Sequence, residues 1–410
     1  MKSVTKSSIG KALYQSLALA CVMFSGYVGP GFSAGTQTVQ YYLTRGWIGV
    51  FIGPIIVSIL TFISTYINFE FSRRYRPQNF IVSSNISWRS PVLRRILAIF
   101  KDVMFILSTF VGMAAMNSTI CGILEYLYQI PTMVTTIVFV VLSVILAVYG
   151  MKVLNATGTF LTVAIIAVMF YIGFSGFHTA WPLTQQWMAT KATPQNFGFA
   201  PLVGYYTMIT LVGSTLTSAN PIVTSASECL EYKWQSVLAS LVHSVLTFVA
   251  TVIFTVLFAG LMPEVAEQTL PTLYAMCGLL GTSPLIITLF AVLAIACVLS
   301  TAVTYMYGIS ERWAPVINAK VPAVSKFAWK VIIAVFFAVV SILGNKIGLI
   351  AIVQYGYTGL GVLSLPVLIL PGYFLYPYRI INDRKRGWLD ADGCWNQEKP
   401  ATEKEYAYGP

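Results

Sequence analysis

Charge is scarce in this chain of 410 residues: Asp, Glu, Lys and Arg make up 10% of it, hydrophobic residues make up 57%, and mean hydropathy is +0.75. A water-soluble domain of this length needs far more charge to cover its surface, so that class is excluded. The six cysteines (Cys21, Cys121, Cys229, Cys277, Cys297 and Cys394) include no C-x-x-C pair, and most lie in or beside apolar runs. That favours small apolar packing over disulfides or a zinc site. P-loop, H-E-x-x-H and Ser/His/Asp patterns are all missing, so no motif supports an enzyme or an ATP-driven pump. No cleavable signal is expected either, because Leu13–Phe24 runs on into a polar, glycine-rich stretch without an A-x-A site.

What the chain has instead is long apolar blocks. Met133–Tyr149, Phe160–Phe174 and Ser244–Met262 are each long enough, or nearly so, to cross a hydrocarbon core of roughly 30 Å. The pattern predicts an all-α polytopic membrane protein surrounded by lipid, with ten transmembrane helices over 10–43, 46–71, 97–128, 132–150, 153–177, 201–231, 234–262, 283–312, 323–344 and 346–378. A net charge of +11 invites a nucleic-acid reading, but its placement argues otherwise. Given these spans, all of the 25 basic residues except Arg45, Lys191 and Lys346 fall on one side. This positive-inside asymmetry puts both termini in the cytoplasm and implies no nucleic-acid partner. Ser87–Phe100 mixes Trp88, Val92 and Ile96 with Arg89, Arg94 and Arg95, and reads as a helix lying on the inner surface. Residues 179–200 and 263–282 read as external loops, and the tail from Arg379 as polar and mobile.

Two spans are abnormal. The first holds four glycines and a proline within Ser25–Gly35, at a cost of nearly 1 kcal/mol per glycine and about 3 for the proline. Irregular backbone is tolerated at that depth only where it faces a cavity or ligand, so a break is expected within Gly26–Phe32; the competing reading is a simple kink. The sixth span has a weaker point at Thr210–Thr215, followed by Asn220-Pro221. These interrupted spans open two five-helix runs, 10–177 and 201–378, followed by a cytoplasmic tail, 379–410. Five is odd, so the second run enters from the opposite side. The expected fold is two inverted repeats with helices 1 and 6 interrupted, around a midplane binding site.

At the first break, amides near Phe32, Ser33 and Ala34 open an outer half-helix and suit a substrate carboxylate. Gly29 and Gly31 leave room for backbone to touch ligand. Carbonyls of the inner half, around Ser25 and Val28, suit a cation. The candidate substrate contacts are Tyr27, Gly29, Gly31, Phe32, Ser33, Asn117, Tyr206, Thr207, Thr210, Gly213 and Thr304. Intramembrane ionisable groups are costly and draw functional hypotheses. Glu125 near the outer end of helix three is a gate, a proton site or an amine's partner, or else plain interfacial charge. His243 is a proton relay or a packed neutral ring. Glu228, beside Glu231 and Lys233, is an inner gate or surface charge. In the eighth span, Ser300 and Thr301 with the Cys297 carbonyl put three oxygens on a connected face, unless the hydroxyls bond back to their own helix.

Tyr27-Val-Gly-Pro-Gly-Phe-Ser-Ala-Gly-Thr-Gln-Thr-Val-Gln-Tyr-Tyr42 resembles the opening helix of the YkvI family of bacterial membrane proteins, with its G-x-GF-x-x-G-x-E/Q pattern and following aromatic pair. Cys121–Pro131 is similar to that family's third-helix end, a glutamate shortly before a turn proline, with looser likeness over Leu299–Gly308 and Tyr355–Gly361. The family tends to place asparagine after a tyrosine in helix six, where this chain has Tyr206-Thr207. The resemblance implies the amino acid–polyamine–organocation superfamily and its LeuT-type fold, in a bacterial inner membrane. It also implies a sodium site formed by carbonyls of Ser25, Val28 and Cys297 with Ser300 and Thr301. Some proton-coupled relatives replace that ion with a lysine of helix five, but Val153–Phe177 has none. The expectation is a sodium-coupled symporter of a small amino-acid-like zwitterion or amine. A proton-coupled transporter, a channel or uniport facilitator, and a membrane-embedded sensor are the alternatives.

Overall fold

The structure, a computed structural model, describes residues 6–76, 90–149, 151–191, 201–207, 230–278, 281–364 and 371–389. Its elements are helices α1 (Lys6–Tyr27), α2 (Pro30–Ser33), α3 (Thr36–Tyr41), α4 (Trp47–Tyr75), α5 (Pro91–Tyr128), α6 (Thr132–Tyr149), α7 (Met151–Ala189), α8 (Lys233–Ala259), α9 (Pro271–Gly278), α10 (Pro284–Lys320), α11 (Lys326–Val340), α12 (Leu343–Ile347), α13 (Leu349–Ala351), α14 (Thr358–Ser364) and α15 (Tyr376–Lys385). A helical stretch at 201–207 opens the sixth span, most of which lies outside the described residues.

Seven of these helices, α4 to α8 with α10 and the α11–α12 stretch, are long and apolar enough to cross a membrane. Local chemistry sets several of their ends. Ser90 and Ser325 cap α5 and α11 by accepting the amides of Leu93 and Ala328, and Pro91 and Pro284 occupy first helical positions where no amide is needed. Arg76 closes α4 in the left-handed region, with its amide on the Ser72 carbonyl. Outward faces stay apolar: Phe51, Ile55, Ile59 and Ile63 on α4, and Val134, Ile137, Val138, Val141 and Ile145 on α6, are all exposed. Such continuous apolar stripes belong against lipid.

The helices gather into two groups. In one, α8 is the most interior of the seven and packs on α4, α7 and α1. In the other, α10 packs on α11, α5 and α6, while α7 touches both α8 and α10.

Four expectations need correction. The surface helix over Ser87–Phe100 is not separate: from Pro91 onward those residues are the start of α5, whose 38 residues run unbroken to Tyr128. No glycine or proline interrupts 92–111, and a helix of that length, about 57 Å, simply outreaches the hydrocarbon. The loop expected from residue 179 instead continues α7 to Ala189, past Pro182, with Thr184 donating to the Val256 carbonyl at 2.7 Å. The tenth span is not one regular helix: a π-helical segment, Ile352–Tyr357, follows α13, and another, Pro371–Leu375, precedes α15. The first part of the tail is docked. Arg379 and Asp383 are buried, Asp383 accepts the Tyr75 hydroxyl at 2.8 Å, and Tyr376 stacks on Phe71 with ring centres 3.8 Å apart.

Candidate functional site

The first span breaks where its glycines and proline predict. α1 ends at Tyr27, the Val28 amide bonds to the Phe24 carbonyl, and Gly29 is extended (φ −70°, ψ −173°) before Pro30 starts α2. Pro30 has no amide to offer the Gly26 carbonyl, four residues earlier. The Val28 carbonyl loses its ladder partner as well, because the Phe32 amide turns to Gly29 at 3.2 Å. Two carbonyls are thereby released from the helix at the break. The amides behave otherwise than expected: those of Phe32 and Ser33 converge on the Gly29 carbonyl, and that of Ala34 takes Pro30 at 3.1 Å. A tight first turn satisfies them internally, which sequence alone does not reveal.

The outer half is itself in two pieces. Gly35 takes φ +85°, and a Cβ there would lie 2.8 Å from the Thr272 hydroxyl and 2.9 Å from Phe258. Glycine answers both demands at once. The segment between α8 and α10 folds over this outer half as a short 3₁₀ turn, Glu264–Glu267, and α9. Thr36 donates to the Thr269 carbonyl (2.7 Å), Gln40 to the Ala266 carbonyl (3.1 Å), and the Thr272 amide to the Ala34 carbonyl (3.0 Å).

The structure brings some candidate residues to the break and sends others elsewhere. Tyr27 shares a hydrogen bond with Thr251 (2.9 Å) and leans on Phe32, which is fully buried against Phe254. Ser33 donates back to Gly29 and Pro30. Gly31 does not keep space for ligand. A Cβ there would meet Val353 at 3.2 Å and Gln37 at 3.4 Å, so its room is taken by the tenth span.

Tyr206 lies at the Tyr42 end of the first span. It stacks on Tyr42 and donates to the Tyr42 carbonyl at 3.5 Å, over Gly49 and Gly53 of α4. Arg45 lies over the Tyr205 ring at 4.4 Å, and Thr207 bonds to the Val203 carbonyl. Together with the folded-over loop, these rings pack around the Tyr42 end of the first span. Thr210, Gly213 and Glu228, and the expected interruption of helix six, lie outside the described residues.

Asn117 sits apart, in a buried polar knot. It donates to the Ser341 carbonyl (3.1 Å) and accepts from Cys121, which also meets Thr136, itself the acceptor of Asn345 at 2.6 Å. The knot ties α5, α6 and α12 together. Glu125 is exposed near the end of α5 and accepts the Thr132 hydroxyl at 2.9 Å. On α10, Thr301 donates to the Cys297 carbonyl and Thr304 to the Ser300 carbonyl, both at 2.9 Å. The back-bonding reading thus holds for the Thr301 hydroxyl proton, while the Thr304 bond engages the Ser300 carbonyl and not its hydroxyl. Each oxygen keeps lone pairs for another partner, and α10 packs against α2.

Several polar groups escaped the sequence reading. Tyr41 donates to the Val353 carbonyl, and Gln354 to Gln40, linking the outer half of the first span to the π-helical segment of the tenth. At the C-terminal end of α4, buried Glu70 receives both Arg73 (2.7 Å) and Arg74 (2.6 Å), and Arg73 reaches the Glu231 carbonyl. The glutamines are visible in the sequence as amides on an intramembrane helix. The Glu70 cluster is visible as an acid three and four residues before two arginines.

No family model matches the sequence, and no curated protein does. Solved structures do match. Mhp1, a nucleobase-cation-symport-1 family transporter, in a closed conformation with bromovinylhydantoin bound, aligns at TM-score 0.60 and 16% identity over 90% of this chain and 79% of its own. MhsT in complex with L-phenylalanine aligns at 0.55 and 14% over 89% and 97%. A Na⁺-coupled sialic acid symporter in a substrate-bound outward-open state aligns at 0.51 and 14% over 90% and 96%. At these identities the likeness speaks for architecture: this chain has the LeuT-type fold.

Proposed function

We propose that this chain is a sodium-coupled secondary transporter, moving a small amino-acid-like zwitterion or amine by alternating access around the break in its first span. The observation that carries the reading is that break. The Gly26 and Val28 carbonyls leave the helix ladder beside α2, which α10 touches, in a fold shared with transporters. Carbonyl and hydroxyl oxygens without a fixed positive charge suit a hard monovalent cation. Carbonyls of Ser25, Val28 and Cys297 with Ser300 and Thr301 are the proposed sodium ligands, and Tyr27, Gly29 and Phe32 the innermost solute contacts. The motif from Tyr27 to Tyr42 supports placement in the YkvI branch. The distribution of basic residues supports an inner-membrane orientation with both termini cytoplasmic. The two five-helix runs, 10–177 and 201–378, are proposed as inverted repeats.

The test is solute-dependent thermal stabilisation of the purified chain, screened over small zwitterions and amines in sodium and in potassium, then uptake into vesicles. The expected result is stabilisation and concentrative uptake in sodium only. Equal binding in both salts, with uptake that never exceeds equilibration, would replace the symporter by a facilitator.

A further inference from the structure

Along one face of α8, Ser236, Ser240, His243, Thr247 and Thr251 recur at intervals of four, three, four and four residues, which places them on one narrow stripe. All five are buried: His243 is 2% exposed and the others 0%. Ser236 Oγ, Ser240 Oγ, His243 Nε2 and Thr247 Oγ1 are buried atoms with no hydrogen-bond partner among the described residues. Protein interiors leave only a few such atoms, and inside a bilayer the cost of each rises further. The flanking residues show what ordinary satisfaction looks like on this helix. Ser244 exchanges hydrogen bonds with Ser58, and Gln235 donates to the Ala12 carbonyl at 3.0 Å. On α8 the orphaned atoms among the described residues all fall on the stripe.

The stripe has direction. It starts at the inner end of α8 and rises about 22 Å, at 1.5 Å per residue, to Thr251, whose hydroxyl meets Tyr27 beside the break. Nδ1 of His243 lies 3.3 Å from the Thr65 hydroxyl of α4. Successive positions on such a face have Cβ atoms about 5–6 Å apart, a separation that one water can bridge. Every member both donates and accepts, and none carries a fixed charge, so the row suits water and a hopping proton better than a solute or a bare cation. His243 is the titratable side chain on it. Among the elements around His243, the charges of α4 (Glu70, Arg73, Arg74) are bound to one another nearer the inner end. Lys11 of α1 is exposed and Cys21 half-buried, while Tyr171 and His178 of α7 are exposed.

We propose that this stripe is a water-bridged proton path from the cytoplasmic end of α8 to the break, with His243 as its relay. A proton is taken up on one ring nitrogen while the other nitrogen gives its own to the next acceptor. One proton moves, no other bond changes, and the ring resets by rotation. The proposal rests on the transporter reading and adds a proton step to the cycle.

The test uses the full chain, which contains only two histidines. With ¹⁵N-labelled histidine, the ring protons of His178 and His243 are followed by NMR during exchange with solvent, and His243→Gln assigns the signals. The expected result is exchange at His243 within about tenfold of the exposed His178, against protection of several orders of magnitude for a dry, packed ring. Ser236→Ala and Ser240→Ala, on the cytoplasmic side, should each slow His243 exchange about tenfold, whereas Thr247→Val, on the far side, should not. Thermal unfolding confirms that each variant is folded. A His243 proton protected a thousandfold or more, or equal effects from both sides, would overturn the proposal. Neither readout involves a solute, so failure of the transporter reading, seen as absence of any uptake, is recognised separately.

Discussion

The hydroxyl of Tyr41 donates to the backbone carbonyl of Val353 at 2.9 Å, between residues 312 positions apart. Val353 lies in the π-helical segment of the tenth span, and Tyr41 ends the outer half of the first. A π-turn shifts carbonyls out of the regular ladder, and here one of them is met by a side chain from the broken helix. The two irregular spans therefore hold each other's irregularity in place.

Tyr41→Phe removes that donor and leaves the buried carbonyl without it. The expected cost is on the order of 1–3 kcal/mol, seen as a lower thermal midpoint in detergent. An unchanged midpoint would mean that the π-turn is set by its own sequence.

Gly49 and Gly53 make room for the outer rings. A Cβ at Gly49 would lie 2.4 Å from the Tyr206 hydroxyl and 2.6 Å from the Tyr42 carbonyl, and one at Gly53 2.5 Å from the Tyr42 ring. Gly49→Ala should loosen this ring packing, and with it the outer seal that the proposed function expects there, at a strain of about 1–3 kcal/mol. The reading is faster modification, from outside, of a cysteine placed at Phe32. Unaltered reactivity would show that these rings are not part of the seal.

Coupling is tested on α10. Ser300→Ala and Thr301→Val each remove one oxygen without adding charge, and each should weaken sodium binding by roughly ten- to hundredfold, or about 1–3 kcal/mol. Linkage then requires solute affinity to fall at fixed sodium and to recover at saturating sodium. Wild-type binding that ignores sodium but follows pH would remove the ion from this site and leave the α8 stripe as the coupling element.

Orientation can be read from a native residue. Cys277 is exposed on α9, in the segment assigned to the outside. An impermeant thiol reagent should label it in whole cells and lose that signal in Cys277→Ser, while Arg89→Cys stays unlabelled. Strong labelling at position 89 instead would invert the topology.

The break at Gly29 was legible because glycine and proline act locally: the missing amide of Pro30 and the freedom of Gly29 do not depend on the rest of the chain. The long apolar helices were legible for the same reason. The turn that satisfies the Phe32 and Ser33 amides depends on local angles that composition does not specify. The contact of Tyr41 with the π-turn at Val353, the polar knot around Asn117 and the docking of Asp383 on Tyr75 involve partners hundreds of residues away. Gly31 shows the same limit, since its space looks open until Val353 is brought against it.

The clasp over the outer half of the first span has an uneven authorship. In two of its three bonds the loop supplies only the carbonyls of Ala266 and Thr269, and in the third the Thr272 amide, while the donor side chains, Thr36 and Gln40, belong to the membrane helix. Side chains of the loop can therefore drift through evolution without undoing the clasp, provided its backbone keeps its path. A change at Thr36 or Gln40 removes one of the three bonds directly. The side chains free to change and those that fasten the clasp are thus on different stretches of chain, though they lie in contact.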